Sequence, residues 1–180
     1  MPVETEVKLR VEGPDAARQS LARIGATLVQ ARHFEDNVLF DDTGSSLRNA
    51  GCLLRLRRTP HQTLLTFKGP RLEDETVKSR EEIESSVGEA DALQEIVARL
   101  GFRTVFRYQK YREAYAWRDV EIVLDETPIG VFLEIEGERE GIHAAAAALG
   151  RGAHEFITTS YGALFYAAGG RGDMTFPQRE

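Results

Sequence analysis

Residues 3–11 alternate without interruption. Val3, Thr5, Val7, Leu9 and Val11 occupy one parity, and Glu4, Glu6, Lys8 and Arg10 the other. Successive side chains of a strand point to opposite faces, so strict period two predicts a strand with one apolar face and one fully charged face. Related patterns predict further strands over residues 28–41, 53–59, 63–68, 80–87, 103–117, 120–126 and 131–137. Pro60-His61-Gln62 links a hairpin, and Gly69-Pro70 is expected to end its second strand. Helices are predicted over residues 14–24, 89–100, 142–149 and 160–168, with a helical turn at 46–49. Residues 72–79 are polar, of both charge signs, and are expected to form a mobile loop. The tail 169–180 has no periodicity and is expected to fray. About eight short strands with a few helices predict a closed or nearly closed antiparallel barrel in one domain, mostly β with flanking helices.

Several function classes drop out on composition. Lys and Arg total 23 against 29 Asp and Glu, a net charge of -6, which disfavours a nucleic-acid-coating protein. No apolar run approaches the ~18 residues of a membrane span. The amino terminus has no basic region followed by an apolar core, so a cytoplasmic protein is expected. The single cysteine, Cys52, excludes an internal disulfide and a multi-cysteine zinc site, and is read as a small buried residue. His33, His61, His143 and His154 share no spacing and are read as surface or packing residues. Tyr108, Tyr111, Tyr115 and Trp117 are read as strand packing, with contact to a base as the alternative.

Charge placement says more than the total. Carboxylates recur as i, i+2 pairs in Glu4/Glu6, Glu82/Glu84 and Glu134/Glu136, and cations in Arg55/Arg57 and Lys110/Arg112. Such pairs point the same way, about 6.6–6.8 Å apart. One such strand is an ordinary solvated face, but the set together fits a barrel interior. Buried charges need compensation. A polyphosphate with divalent cations supplies it: Arg and Lys grip phosphate oxygens, and carboxylates hold a hard metal. With no His or Cys cluster, Mg²⁺ or Mn²⁺ is favoured over zinc.

The series Glu4-Thr-Glu-Val-Lys8, Leu-Arg55-Leu-Arg57, Thr66-Phe67-Lys68-Gly69-Pro70, Arg80-Glu-Glu82-Ile-Glu84, Lys110-Tyr-Arg112, Leu124-Asp125 and Glu134-Ile-Glu136 resembles the CYTH superfamily, the triphosphate tunnel metalloenzymes. The resemblance covers residues 2 to about 168 and makes 1–168 the domain. It implies a closed eight-stranded antiparallel barrel whose tunnel holds a triphosphate and a divalent metal. Carried over by motif, the metal side is Glu4, Glu6, Asp125, Glu134 and Glu136. The triphosphate side is Lys8, Arg55, Arg57, Lys68, Lys110 and Arg112. Arg80, Glu82 and Glu84 are further candidates, and no general base is assigned. Phe67-Lys68-Gly69-Pro70, the Asp125 to Glu136 segment and Ser160-Tyr161 are most similar to the class IV adenylyl cyclase branch, which sits beside the thiamine triphosphatases. The implied substrate is a nucleoside triphosphate, thiamine triphosphate or tripolyphosphate, with no membrane or nucleic-acid partner; a homodimer is left open. The alternatives are a polyphosphate-binding module, which would not need the carboxylates, and an apolar-ligand barrel, which would not need the charges.

Overall fold

The computed structural model describes residues 3–72 and 77–177. Eight strands form one ring: β1 Val3–Val11, β2 Thr27–Asp41, β3 Leu53–Arg58, β4 Thr63–Leu72, β5 Lys78–Val87, β6 Arg103–Trp117, β7 Val120–Thr127 and β8 Gly130–Glu136. Their order is β1-β5-β4-β3-β2-β6-β7-β8, with β8 paired back to β1 and every neighbour antiparallel. Closure leaves no long free edge, the usual weak point of an all-antiparallel sheet. Gly130 makes the β7–β8 turn at φ +128, where a Cβ would sit 2.7 Å from the Arg10 guanidinium.

The barrel is apolar outside and charged inside. Helices α1 (Pro14–Arg23) and α4 (Arg139–Ala148) cover β1, β7 and β8. There Leu21 and Ile142 pack against Val7, Leu9, Ile122, Leu124, Leu133 and Ile135. Helix α3 (Ala90–Arg99) lays Val97 on Val38, Phe40 and Leu56 of β2 and β3. With the apolar parity committed to these outer cores, the charged parity has only the interior left. Reversing it would require slipping every strand by one residue. A third cluster closes one end: Phe106, Tyr108 and Phe132 pack with Tyr161 of α5 (Tyr161–Ala167) and with Met174. The four-residue helix α2 (Ser46–Asn49) is pinned by Asp41, whose carboxylate accepts from the Leu47 and Arg48 amides at 3.0 Å each.

Four expectations need correction. Strand β4 does not stop at Lys68. Gly69 and Pro70 are absorbed as a bulge, with the register against β5 shifting between Lys68 and Arg71. Strand β5 begins at Lys78, inside the expected loop; residues 73–76 of that loop lie outside the described residues. Cys52 is half-buried rather than buried, because it lies where α2 hands over to β3 at the cavity wall. Residues 169–177, expected to fray, pack against β6. Pairing of β6 with β7 begins only at Tyr111, which leaves the earlier part of β6 open on that side. Met174 takes the vacancy: its amide donates to the Arg107 carbonyl at 3.0 Å, and its carbonyl accepts from Gln109 at 2.9 Å.

Candidate active site

The interior faces enclose a cavity of about 510 Å³. Glu4, Glu6 and Lys8 enter from β1, Arg55 and Arg57 from β3, Lys68 from β4, Arg80 from β5, Lys110 and Arg112 from β6, and Glu134 and Glu136 from β8. These expected site residues therefore share one chamber. Asp125, Glu82 and Glu84 do not line it. Asp125 is fully buried behind the lining, while Glu82 and Glu84 sit in the β5 wall beside Lys68 and Arg55.

Alternate-sign pairing makes a charged interior tolerable. Lys8 bridges Glu6 at 3.1 Å and Glu134 at 3.0 Å. Lys68 pairs with Glu4 and, at 2.7 Å, with Glu82. Arg112 presents two nitrogens to Asp125 at 2.7 and 2.6 Å and also reaches Glu134. Asp125 further accepts from Lys110 at 3.0 Å and from the Tyr161 hydroxyl at 2.8 Å. The Tyr161 ring lies 5.1 Å from the Lys8 ammonium and 5.5 Å from that of Lys110, within cation–π range. The carboxylates expected together on the metal side thus divide. Asp125 and Glu134 are held by Lys8, Lys110 and Arg112, while at the other end of β1, beside Glu136, Glu4 pairs with Lys68 and Glu6 with Lys8 and Lys78.

Proton affinities follow the same division. Burial works to raise the Glu134 carboxyl, but Lys8, Arg112 and Lys110 hold it well below the usual carboxylate range. Arg112 is raised, burial being outweighed by Asp125 and Glu134. Glu136 behaves oppositely: although its side chain is exposed, partial burial, then the Glu4 and Glu6 carboxylates, push it up to about 7. Burial and Glu6 likewise raise Glu4. Glu6 and Glu136 are register neighbours across β1 and β8. Burial works to raise Glu6 too, but Lys8 and Lys78 hold its carboxyl below the usual carboxylate range; together the three carboxylates offer oxygen donors of the kind a hard divalent cation takes. As placed, among the described residues, no three acidic, histidine or cysteine side chains yet converge on one point. Arg57 is lowered, by burial and then by Arg55, so it is a buried cation short of counter-charge.

Four wall residues were given no site role by the sequence reading. Lys78 faces Glu6 two residues before the expected start of β5. Thr66 donates to Glu84 at 2.7 Å and accepts from Arg55 at 3.2 Å. Glu35 and Asn37 are fully buried on β2. Their i, i+2 spacing was a usable signal, obscured because Asp36 puts a charge on the otherwise apolar parity of Phe34, Val38 and Phe40.

The CYTH domain family matches residues 2–161. A Methanocaldococcus jannaschii protein, provisionally named an adenylate cyclase, is 29% identical over 135 residues, covering 74% of this chain and 76% of that one. A Vibrio parahaemolyticus structure with the same provisional name superposes with a TM-score of 0.80 at 21% identity, over 91% of this chain and 97% of that one. A Hippeastrum structure gives 0.68 at 22% identity, over 92% and 96%; that protein, provisionally an adenylyl cyclase, is described as revealing a dominant triphosphatase activity.

Proposed function

The chain belongs to the CYTH domain family, and from that premise we propose that it is a divalent-metal-dependent enzyme that converts ATP to cyclic AMP and pyrophosphate. The observation that carries this reading is the single chamber into which Lys8, Arg55, Arg57, Lys68, Lys110 and Arg112 project together with Glu4, Glu6 and Glu136. Such a lining suits a polyanion accompanied by a hard cation and excludes an apolar occupant. The wall also carries Leu39, Phe106 and Tyr166 on the α5 side. These suit an organic ring, and a bare polyphosphate leaves them unused, which favours a nucleoside triphosphate.

Glu4, Glu6 and Glu136 would hold the metal, Mg²⁺ or Mn²⁺ by their oxygen-only donor set. Bound there, it supplies charge neutralisation and Lewis-acid polarisation of phosphate oxygens. Arg57 and Lys110, whose donors are only partly committed, grip the phosphates; Lys8 and Arg112, locked between acids, set the shape of the wall. In cyclisation the ribose 3′-oxygen bonds to the α-phosphorus. The bond from that phosphorus to the β-bridging oxygen breaks, pyrophosphate leaves with the electron pair, and the 3′-hydroxyl proton is released. The tunnel's contribution is to hold the 3′-oxygen in line, about 3–3.5 Å from phosphorus.

Hydrolysis of the terminal phosphate of tripolyphosphate or thiamine triphosphate is the second reading. The exposure of Glu136 favours it, since that end of the tunnel admits water. No helix among the described residues is long and apolar enough to cross a membrane, and the cytoplasm is the proposed compartment. A product screen with Mg²⁺ or Mn²⁺ tests both readings on ATP, thiamine triphosphate and tripolyphosphate. Cyclic AMP and pyrophosphate in equal amounts are expected. Orthophosphate without cyclic AMP, with tripolyphosphate turned over faster than ATP, would replace the first reading by the second.

A further inference from the structure

One buried acid of the wall has no part in the chemistry above. Glu35 on β2 is 1% exposed, and its Oε2 has no hydrogen-bond partner. That oxygen stands 3.6 Å from Lys110 Nζ and 3.6 Å from Arg57 Nε. Both separations are ion-pair distances too long for hydrogen bonds. Otherwise, among the described residues, Lys110 is held by Asp125 at 3.0 Å, and Arg57 only by the Asn37 amide oxygen at 3.4 Å. The contrast with Arg112, committed to Asp125 through two nitrogens, is clear. Glu35 keeps two cations company without consuming their donors.

Its other oxygen faces a histidine. His33 Nε2 lies 3.4 Å from Glu35 Oε1, and His33 Nδ1 lies 3.0 Å from the Ala31 carbonyl oxygen. Both ring nitrogens face acceptors, a setting that favours the imidazolium, in which both carry protons. The charged groups around this pair come from two neighbouring strands: Arg57 from β3, and Lys110 and Arg112 from β6, which are the register partners of Glu35 and His33. Arg112 opposes the charge on His33. The bond to Glu35 favours it more strongly, and the proton is held more tightly than usual.

We infer that Glu35 is a positioning residue of the tunnel, a counter-charge shared by Arg57 and Lys110 that sets how tightly they hold an anion and is itself restrained by the His33 imidazolium. While His33 is protonated, it takes part of the Glu35 charge, and the two cations are free for phosphate. Once His33 loses its proton, the cations alone compensate Glu35, and they turn to it in competition with the bound anion. The grip on triphosphate therefore weakens as pH rises through the His33 titration. This inference rests on the triphosphate reading of the tunnel.

The test is calorimetric titration of inorganic tripolyphosphate into the full chain, in chelator, from about pH 6 to about pH 9. The probe's own protonation changes over that range, so the readout is the ratio of variant to wild type at each pH, in which this change cancels. Glu35→Gln is expected to bind about tenfold tighter, a gain that a merely structural lesion does not produce. His33→Gln is expected to bind several-fold more weakly at the acid end and equally at the alkaline end. If Glu35→Gln does not fold, the double variant His33→Gln/Glu35→Gln removes both charges together and carries the same expectation of tighter binding. Affinity unchanged or lowered without Glu35, or a wild-type to His33→Gln ratio flat across pH, overturns the inference and leaves the tunnel reading standing. A wild type that binds no tripolyphosphate overturns both.

Discussion

At the scale of single residues, identical charges do opposite work in this tunnel. Asp125 and Glu136 are both carboxylates of the charged parity. Asp125 is fully buried and satisfied by Lys110, Arg112 and Tyr161. Asp125→Asn leaves two buried cations short of a partner, and a loss of about 3–5 kcal/mol in urea unfolding is expected. A loss below ~1 kcal/mol would show that the cations relax to water instead. Glu136 is crowded and raised to about 7, from an ordinary 4.5. Its charged form is the disfavoured one in the folded state, so its penalty is absent below the ordinary value and grows as pH rises towards 7. Discounted for its exposure, Glu136→Gln should raise the melting temperature by about 2–4 °C in chelator at pH 8 and, assayed with Mg²⁺ or Mn²⁺, should lose the activity. Full activity in excess chelator would remove the metal role altogether. Arg57→Ala and Lys110→Ala should each weaken triphosphate binding about ten- to hundredfold, and monophosphate binding far less. Equal losses for both ligands would make these side chains structural only. The i, i+2 cations were legible because a strand repeats every second residue. The division of the acids was not, since it depends on which cation each strand brings opposite, and register is absent from a single sequence.

At the scale of elements, the outer packing and the tail differ in how they could be read. Strands β1, β7 and β8 announce themselves because their apolar parity must meet α1 and α4. The tail has no such parity. Among its described residues one side chain, Met174, is fully buried, and it fits a vacancy on β6 that exists only after β6 has paired with β2 and β7. Asp173 accepts from the Arg107 amide at 2.8 Å, and the Phe176 ring lies 5.3 Å from that of Tyr111, so several contacts hold the segment. No local pattern encodes a partner made by long-range closure. Truncation after Ala168 should therefore cost about 2–5 kcal/mol, as should Met174→Ala, and both should weaken tripolyphosphate binding by loosening the wall at Tyr108. Unfolding midpoints identical to the full chain would show that the segment merely rests on β6.

At the scale of the whole molecule, the net charge of -6 misdescribes what the barrel offers a ligand. Excess acid lies elsewhere, while the chamber gathers Lys8, Arg55, Arg57, Lys68, Lys78, Arg80, Lys110 and Arg112 against Glu4, Glu6, Glu134 and Glu136. Alternation predicted a sheet with one charged face. Closure, which turns that face inward and makes it a site, comes from β8 returning to β1, a pairing between the start and the last third of the chain. A closed charged interior is a stability cost that a matching polyanion offsets, because burial and Arg55 weigh against the Arg57 charge. Ligand binding and folding are therefore linked. Tripolyphosphate at a hundred times its dissociation constant should add about 2.7 kcal/mol, a rise in melting temperature of about 5–10 °C for a chain of this size. Orthophosphate at the same concentration should add little, since one phosphate cannot reach cations entering from β3 and β6 together. Added salt should shrink the tripolyphosphate effect only modestly, because partners inside the barrel are screened less than surface charges. Equal stabilisation by the two anions, or an effect abolished by about 0.15 M salt, would place the anion on the outer surface and not in the chamber.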